Sequence, residues 1–301
     1  MRAVGWSALG SRREFLRAAA LAGGMAMACP RSTLGAASRW KLRLTLSSVM
    51  FSELSVEDFC AEAARLGFKS IDLWCPFDKC RHLEEAASRL GPAGFKRLLA
   101  KHKLTASTFT VYRTGTSNLG FPAYAEFIGA CGGGLVVRES EYGSFPAAEV
   151  ASRMRSFLNK LQPEIELAAR NHACLVVENH GDALLNSLDS FKAFTELNPD
   201  PQHLGLGLAP YHLQASGTSV EQVIQTCGSQ LRFVYGWQKA EGTAQLPGIG
   251  TTDFTPWLKA LAAMRFSGVI SPFMHGHLPA AAMSAGVSKS VAYLKSCKLD
   301  G

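Results

Sequence analysis

The chain has 301 residues, 47% hydrophobic and 18% charged, with a formal charge of +7. That is globular composition, and the length allows one barrel-sized domain or two ordinary ones. Residues 1–38 hold five arginines against one glutamate and so account for +4; the remaining +3 is mild. It gives no electrostatic case for nucleic acid or an anionic membrane as partner.

The first 38 residues read as a targeting segment. Ser11-Arg12-Arg13-Glu14-Phe15-Leu16-Arg17 resembles the twin-arginine export motif, and an apolar run from Ala18 to Ala28 follows it. The run is shorter than the ~18 residues that span a bilayer, and it suits a signal peptide. Ala26-Met27-Ala28 is a cleavage site of small residues, and a second lies near Ala36-Ala37. Cys29 offers a lipid anchor, although the residues before it make a poor lipobox. The expectation is a signal peptide and linker over 1–38, export by the twin-arginine route to a periplasmic or other extracytoplasmic location, and one domain over 39–301. No later apolar run is long enough to span a membrane. The eight cysteines show no zinc-site spacing, and Cys60, Cys131 and Cys174 sit in apolar patterns that suit buried thiols.

From residue 41, short β-rich runs alternate with helical patterns. Leu42–Met50 is the first strand expected. A helix over Ser55–Leu66 follows, capped by Ser55, apolar at Val56, Phe59, Cys60 and Ala63, and stopped at Gly67. Ser70–Trp74 is the second strand, followed by a helical stretch broken at Gly91-Pro92. Thr105–Tyr112 is the third and Leu135–Arg138 the fourth. A long helix carries Val150, Met154, Phe157, Leu158 and Leu161 in phase, with Pro163 expected to kink it. Strands five to eight fall at Leu175–Glu178, Leu204–Leu208, Leu231–Tyr235 and Val269–Ser271. Helices fall at Ser187–Leu197, Val220–Cys227, Phe254–Met264 and Ala280–Ser296. The pattern is that of an α/β protein, a (β/α)8 TIM barrel. An open doubly wound sheet is the alternative; the lack of G-x-G-x-x-G or a P-loop counts against its nucleotide-binding forms.

In such a barrel, chemistry gathers at strand C-termini. Trp74 ends strand two and could stack on a sugar face. Arg138, Glu139 and Glu141 follow strand four. Cys174-Leu-Val-Val-Glu-Asn-His180 is an apolar run ending in three polar groups, and a carboxylate there is costly to bury without a metal, cation or donor. Ala209-Pro210-Tyr211-His212 follows strand six, and Tyr235, Trp237, Gln238 and Lys239 follow strand seven. Met274, His275 and His277 follow strand eight. Histidines at three separate tips point to a working mouth rather than to isolated structural imidazoles.

Over roughly 40–298 these residues resemble the xylose isomerase-like TIM barrels, the sugar phosphate isomerase/epimerase group. The resemblance rests on Val-Val-Glu-Asn-His at strand five, Ala-Pro-Tyr-His-Leu at strand six and Gly-Val-Ile-Ser at strand eight. It implies a divalent metal that polarises a sugar carbonyl while carboxylates move a proton through an enediolate. Glu178 matches the first metal ligand and His212 the substrate-contacting histidine. Ala209 stands where an aspartate ligand is usual; the other two ligand positions fall at Tyr235 and near Phe273. One carboxylate suits Mg²⁺ or Mn²⁺ poorly, whereas Glu178, Gln238 and His275 could form a softer, zinc-like site.

The leading expectation is a sugar isomerase or epimerase for a small carbohydrate, with a degenerate metal site. Glu178 and His212 are its catalytic candidates, and Trp74, His180, Trp237 and Lys239 its substrate contacts. A metal-free lyase or hydrolase of modified sugars, and a non-catalytic carbohydrate-binding barrel, are the alternatives.

Overall fold

Eight parallel strands, each hydrogen-bonded to the next in sequence order, make the barrel wall. The structure is a computed structural model that describes residues 40–112 and 119–299. The twin-arginine segment, Cys29 and both cleavage sites lie outside the described residues. Trp40 to the C-terminus belongs to one unit.

The strands are β1 (Leu46–Ser47), β2 (Ser70–Trp74), β3 (Thr105–Thr110), β4 (Gly134–Glu139), β5 (Ala173–Glu178), β6 (Leu204–Leu208), β7 (Leu231–Gly236) and β8 (Val269–Pro272). The Thr45 N–H donates to Ile270 O at 3.0 Å and the Ile270 N–H to Arg43 O at 2.9 Å, which joins the last strand to the first. The β4–β5–β6 strands read as near-continuous apolar runs because a parallel sheet under helices is buried on both faces. Val136, Val137, Leu175, Val176, Val177, Leu204 and Leu206 are fully buried.

The helix Val56–Arg65 forms where its apolar spacing predicts. Ser55 Oγ accepts from the Asp58 N–H, and Val56, Phe59, Cys60 and Ala63 are its buried stripe. The helix Val150–Arg170 runs through Pro163 without a break. A proline inside a helix costs about 3 kcal/mol through its lost donor and steric clash. Pro163 is on the exposed side, and a buried stripe from Val150 to Ala168 holds the turns before and after it. Burial at ~25 cal/mol per Å² over such a stripe outweighs one lost bond.

The first strand differs from expectation for a local reason. β1 ends at Ser47 instead of Met50, because Ser48–Phe51 coils into a 3-10 turn. Ser48 Oγ accepts the Trp74 N–H at 3.0 Å there, and Val49, Met50 and Phe51 are buried by the turn. An apolar run alone does not separate a strand from a buried turn. Two helices had gone unread: Phe121–Cys131, entered at Gly120 with Pro122 in its first turn, and Pro210–Ser216, with Pro210 first and left-handed Gly217 as its cap. Proline at the start and glycine just past the end are the signals that mark such helices.

The tips of β5 and β6 are pinned by Asn179. Its Oδ1 accepts the Ala209 N–H at 2.7 Å and its Nδ2 donates to Ala209 O at 3.2 Å, all buried. Asn179→Ala strands both backbone groups, so it is expected to lower stability by about 2–3 kcal/mol. Urea denaturation checks this; a loss below about 0.5 kcal/mol would show that the clamp carries no weight.

Candidate active site

The C-terminal end of the barrel buries carboxyl groups from three strands. Glu178 ends β5, in register with Glu139 on β4 and Gly207 on β6. A Cβ on Gly207 would come within 3.2 Å of Val176 Cγ1, so the glycine leaves the strand beside Glu178 its room. Glu178 is only 2% exposed, and the Tyr112 hydroxyl donates to its Oε2 at 2.5 Å. Burial pushes its carboxyl well above the usual carboxylate range, against the lowering pull of the Tyr112 bond; Asp72 and Glu139 add to the rise. Glu178 therefore holds its proton more tightly than an exposed carboxyl does. The Tyr112 phenol is raised in turn, by burial first and then by Glu178.

Asp72 on β2 is fully buried and accepts three hydrogen bonds: from Ser47 Oγ (2.6 Å), Trp74 Nε1 (2.7 Å) and Thr110 Oγ1 (2.9 Å). Burial lifts its pKa to about 6, and the three donors hold it from rising further. The Thr110 hydrogen is used on Asp72, so the Tyr235 hydroxyl donates to Thr110 Oγ1 at 3.2 Å. On the other side Ser271 meets Ser47 at 2.9 Å. A polar chain of Ser271, Ser47, Asp72, Thr110 and Tyr235 thus crosses the barrel interior and joins five strands.

Above these acids lies an arc of imidazole and aromatic rings. His180 and His212 have ring centroids 5.0 Å apart; His212 meets Trp237 edge-on at 5.2 Å, and Trp237 meets His275 at 5.0 Å. Tyr211 stacks on Trp237 at 4.2 Å. Tyr142, 49% exposed, turns its edge to His180 at 5.6 Å. Burial lowers the His180 pKa to about 3, with His212 and His275 adding to the effect. The same causes lower His212 to about 4, and His275 is also lowered by burial. The mouth is therefore lined by neutral imidazoles. His180 Nδ1 is buried without a hydrogen-bond partner among the described residues.

Of the residues singled out in the sequence, His180, His212, His275 and Trp237 meet in this arc, with Glu178 beneath it. Trp74 is fully buried; its ring is stacked on Phe273 at 5.7 Å and its indole N–H is held by Asp72, so it is a wall of the core rather than an open platform. Gln238 is also spent: its Nε2 donates to Leu246 O at 2.9 Å and its Oε1 accepts the Thr252 N–H at 2.8 Å. Lys239 is exposed, and its backbone N–H donates to Gln214 Oε1. His277 sits outside the arc, against Asp78 at 2.9 Å. Cys60 is buried, whereas Cys131 and Cys174 are half-buried. Asp72, Tyr112 and Tyr142 carry much of the site and were not selected. Asp72 was legible as the lone acid inside an apolar strand, Ser-Ile-Asp-Leu-Trp. Glu139 is the buried end of β4 rather than part of a solvated loop.

The chain belongs to the xylose isomerase-like TIM barrel family, whose sequence pattern matches residues 60–297. Solved structures share the fold at low identity. A sugar phosphate isomerase/epimerase from Parabacteroides distasonis is 12% identical over 89% of this chain and 98% of that one, with TM-score 0.65. D-psicose 3-epimerase from Clostridium cellulolyticum, solved with D-tagatose, is 12% identical over 86% and 100%, with TM-score 0.67. The IOLI protein, solved with a zinc atom, is 16% identical over 85% and 99%, with TM-score 0.68. Comparison with curated protein sequences gives no match.

The divalent ion expected from the family resemblance does not fit this donor set. Of the four ligand positions, only Glu178 offers a carboxyl, and its Oε2 is bonded to Tyr112. Ala209 has no donor atom. Tyr235 is fully buried and bonded to Thr110, and Phe273 stacks on Trp74. Gln238 faces its own loop, and no three His, Cys, Asp or Glu side chains among the described residues converge on one point.

Asp72 gives a pH-dependent stability term of known sign. Its pKa is raised in the folded state, so its contribution is full below about pH 4 and is lost as pH rises through about 6. The interval corresponds to roughly 3 kcal/mol. The histidines, lowered by folding, act in the opposite sense, and comparison with a variant cancels them. Asp72→Asn is expected to lose less stability than wild type between pH 4 and pH 7, by on the order of 2–3 kcal/mol in urea titrations. Equal slopes for the two proteins would refute it.

Proposed function

We propose that this protein acts on a small, uncharged carbohydrate at the barrel mouth by metal-independent proton transfer, as a sugar isomerase or epimerase that passes through an enediolate. The observation that carries the reading is the Glu178–Tyr112 pair, a carboxyl whose pKa burial raises and the phenol bonded to it at 2.5 Å, beneath neutral imidazoles. His212 stays unprotonated at neutral pH and takes the proton from the carbon next to a ketose or aldose carbonyl. The Glu178 carboxyl, held by the Tyr112 hydroxyl that donates to its Oε2, gives its proton to the carbonyl oxygen as that oxygen gains negative charge. Return of the proton by His212 to the former carbonyl carbon isomerises the sugar; epimerisation needs a proton delivered to the first carbon from the opposite face, for which His275, across Trp237 from His212, is the candidate acid, with His212 keeping the proton it took. His180, Trp237 and exposed Tyr142 supply ring faces and edges for the sugar. The fold shared at low identity with a sugar phosphate isomerase/epimerase and a D-psicose 3-epimerase supports the substrate class.

The test is turnover of a panel of aldoses, ketoses and keto-glycosides by chelator-treated protein. Activity should be unchanged by chelator; His212→Ala and Tyr112→Phe should each lower kcat by about 10²–10³-fold. Activity that appears only on adding a divalent ion would overturn the proposal.

A second reading, a carbohydrate-binding barrel without turnover, is favoured by one observation. Glu178 is 2% and Tyr112 7% exposed, so the acid pair lies almost sealed under the rings. Sugar-induced rises in Tm without turnover over days would select it.

The proposal places the protein outside the cytoplasm, exported folded through the twin-arginine route directed by Arg12 and Arg13. Arg12→Lys with Arg13→Lys is expected to retain the protein in the cytoplasmic fraction; unchanged export would exclude that route. Among the described residues no helix is long and apolar enough to cross a membrane.

A further inference from the structure

The end of the barrel opposite the mouth carries two adjoining cavities, of about 380 and 320 Å³. They share Arg43, Ser107 and Val269. Arg43, Lys69 and Lys295 line the larger one, and Arg232 lines the smaller. No aspartate or glutamate lines either. Elsewhere on the surface arginines are matched, as in Arg65 with Glu62, Arg89 with Glu57 and Arg153 with Glu149. Four cations around adjoining cavities without a carboxylate are a local excess that an anion would neutralise.

The interior of the larger cavity divides into two chemistries. One side is hydroxyl: Ser70, 9% exposed, donates to Thr45 Oγ1 at 3.2 Å and is hydrogen-bonded to Ser107, whose Oγ lies 3.4 Å from Thr108 Oγ1. Ser70 spends its hydrogen on Thr45 Oγ1, so Ser107 donates its own to Ser70 Oγ. The other side is apolar, made by Leu44, Leu66, Phe68 and Val291. Arg43 lines both cavities and donates to Ser267 O, in the lining of the smaller one, and Arg232 Nε is buried with no partner among the described residues. Guanidinium and ammonium groups suit an oxyanion head, and the apolar wall suits a short hydrocarbon body.

We propose that this end of the barrel is a second binding site, for a small amphipathic oxyanion. Its carboxylate, sulfate or phosphate head lies among Arg43, Lys69 and Lys295, and its apolar body lies against Leu66 and Phe68. The site is independent of the mouth and of the reaction proposed there.

Calorimetric titration of the full chain at constant ionic strength with three probes tests it: sodium octanoate, sodium sulfate and 1-hexanol. Octanoate should bind saturably, with sulfate and hexanol each at least tenfold weaker. Arg43→Gln with Lys295→Gln should weaken octanoate at least tenfold, and Lys69→Gln, a change at an exposed side chain, at least threefold. His212→Ala, in the mouth, should leave octanoate binding unchanged. Hexanol binding as tightly as octanoate would overturn the anionic head, and sulfate binding as tightly would overturn the apolar body. Octanoate affinity unchanged in folded Lys69→Gln and in the double variant, or lost in His212→Ala, would overturn the site.

Discussion

Carboxyl groups buried in an aromatic barrel mouth set the constraint on which the rest of this end depends. An ionised carboxylate without partners is far too costly to keep there. Asp72 is accommodated by three donors, and each donor is thereby fixed: the Trp74 indole by its N–H, Ser47 by its hydroxyl, and Thr110, which in turn orients Tyr235. Glu178 is accommodated differently, with one donor and a pKa that burial raises well above the usual carboxylate range. The ring positions follow from these bonds. Trp74 cannot swing outward without leaving Asp72 short of a donor, and Tyr112 cannot leave without exposing Glu178 to an apolar wall.

The same constraint bears on the positions where the family resemblance places further metal ligands. A cluster of carboxylates in this space would require a cation to offset its mutual repulsion. Alanine at 209, tyrosine at 235 and phenylalanine at 273 bring no carboxylate there, and the two large rings occupy the volume. Tyr235 and Phe273 pack 4.5 Å apart, and Phe273 lies flat against Trp74. The substitutions make sense together and poorly one at a time: phenylalanine at 273 needs a ring to stack on, and Trp74 needs Asp72 to hold it.

The barrel was legible in the sequence because its signals repeat. Ser70–Trp74, Leu204–Leu208, Val220–Cys227 and Ala280–Ser296 fall where the pattern places them. Boundaries slipped where side-chain hydrogen bonds, rather than periodicity, decide the backbone, as at Ser48. In the site, Glu178, His180, His212, His275 and Trp237 were visible as polar or aromatic residues at strand ends. Asp72 shows in the sequence only as a lone acid in an apolar strand, and Tyr112 carries no signal, since its importance lies in Glu178, 66 residues away. Gln238 and Trp74 show the converse. Their types suit a ligand and a stacking platform, but the loop 242–252 and the core have already claimed their polar atoms and faces. Residue type at a tip states what a side chain can do; only the inventory of its hydrogen bonds states what it has left to offer.

The two ends of the barrel differ in electrostatic character, and helix polarity explains part of this. In an α/β barrel the helices run against the strands, so their C-termini gather at the end away from the mouth, where cations are favoured by the helix dipole. Lys295, in the last turn of Ala280–Ser296, fits that account. Arg43 and Arg232 do not, since they precede or begin strands rather than end helices. Their charge adds to Lys295 instead of answering a dipole of their own, and no carboxylate lines the cavities beside them. A fold that only needed to cap its helices would not collect guanidinium groups at strand starts around an apolar wall. At the mouth burial keeps the imidazoles uncharged and raises the Glu178 carboxyl, which leaves little there to attract an anion. The cations at strand starts and at the end of the last helix make the far end of the barrel the more favourable place for negative charge.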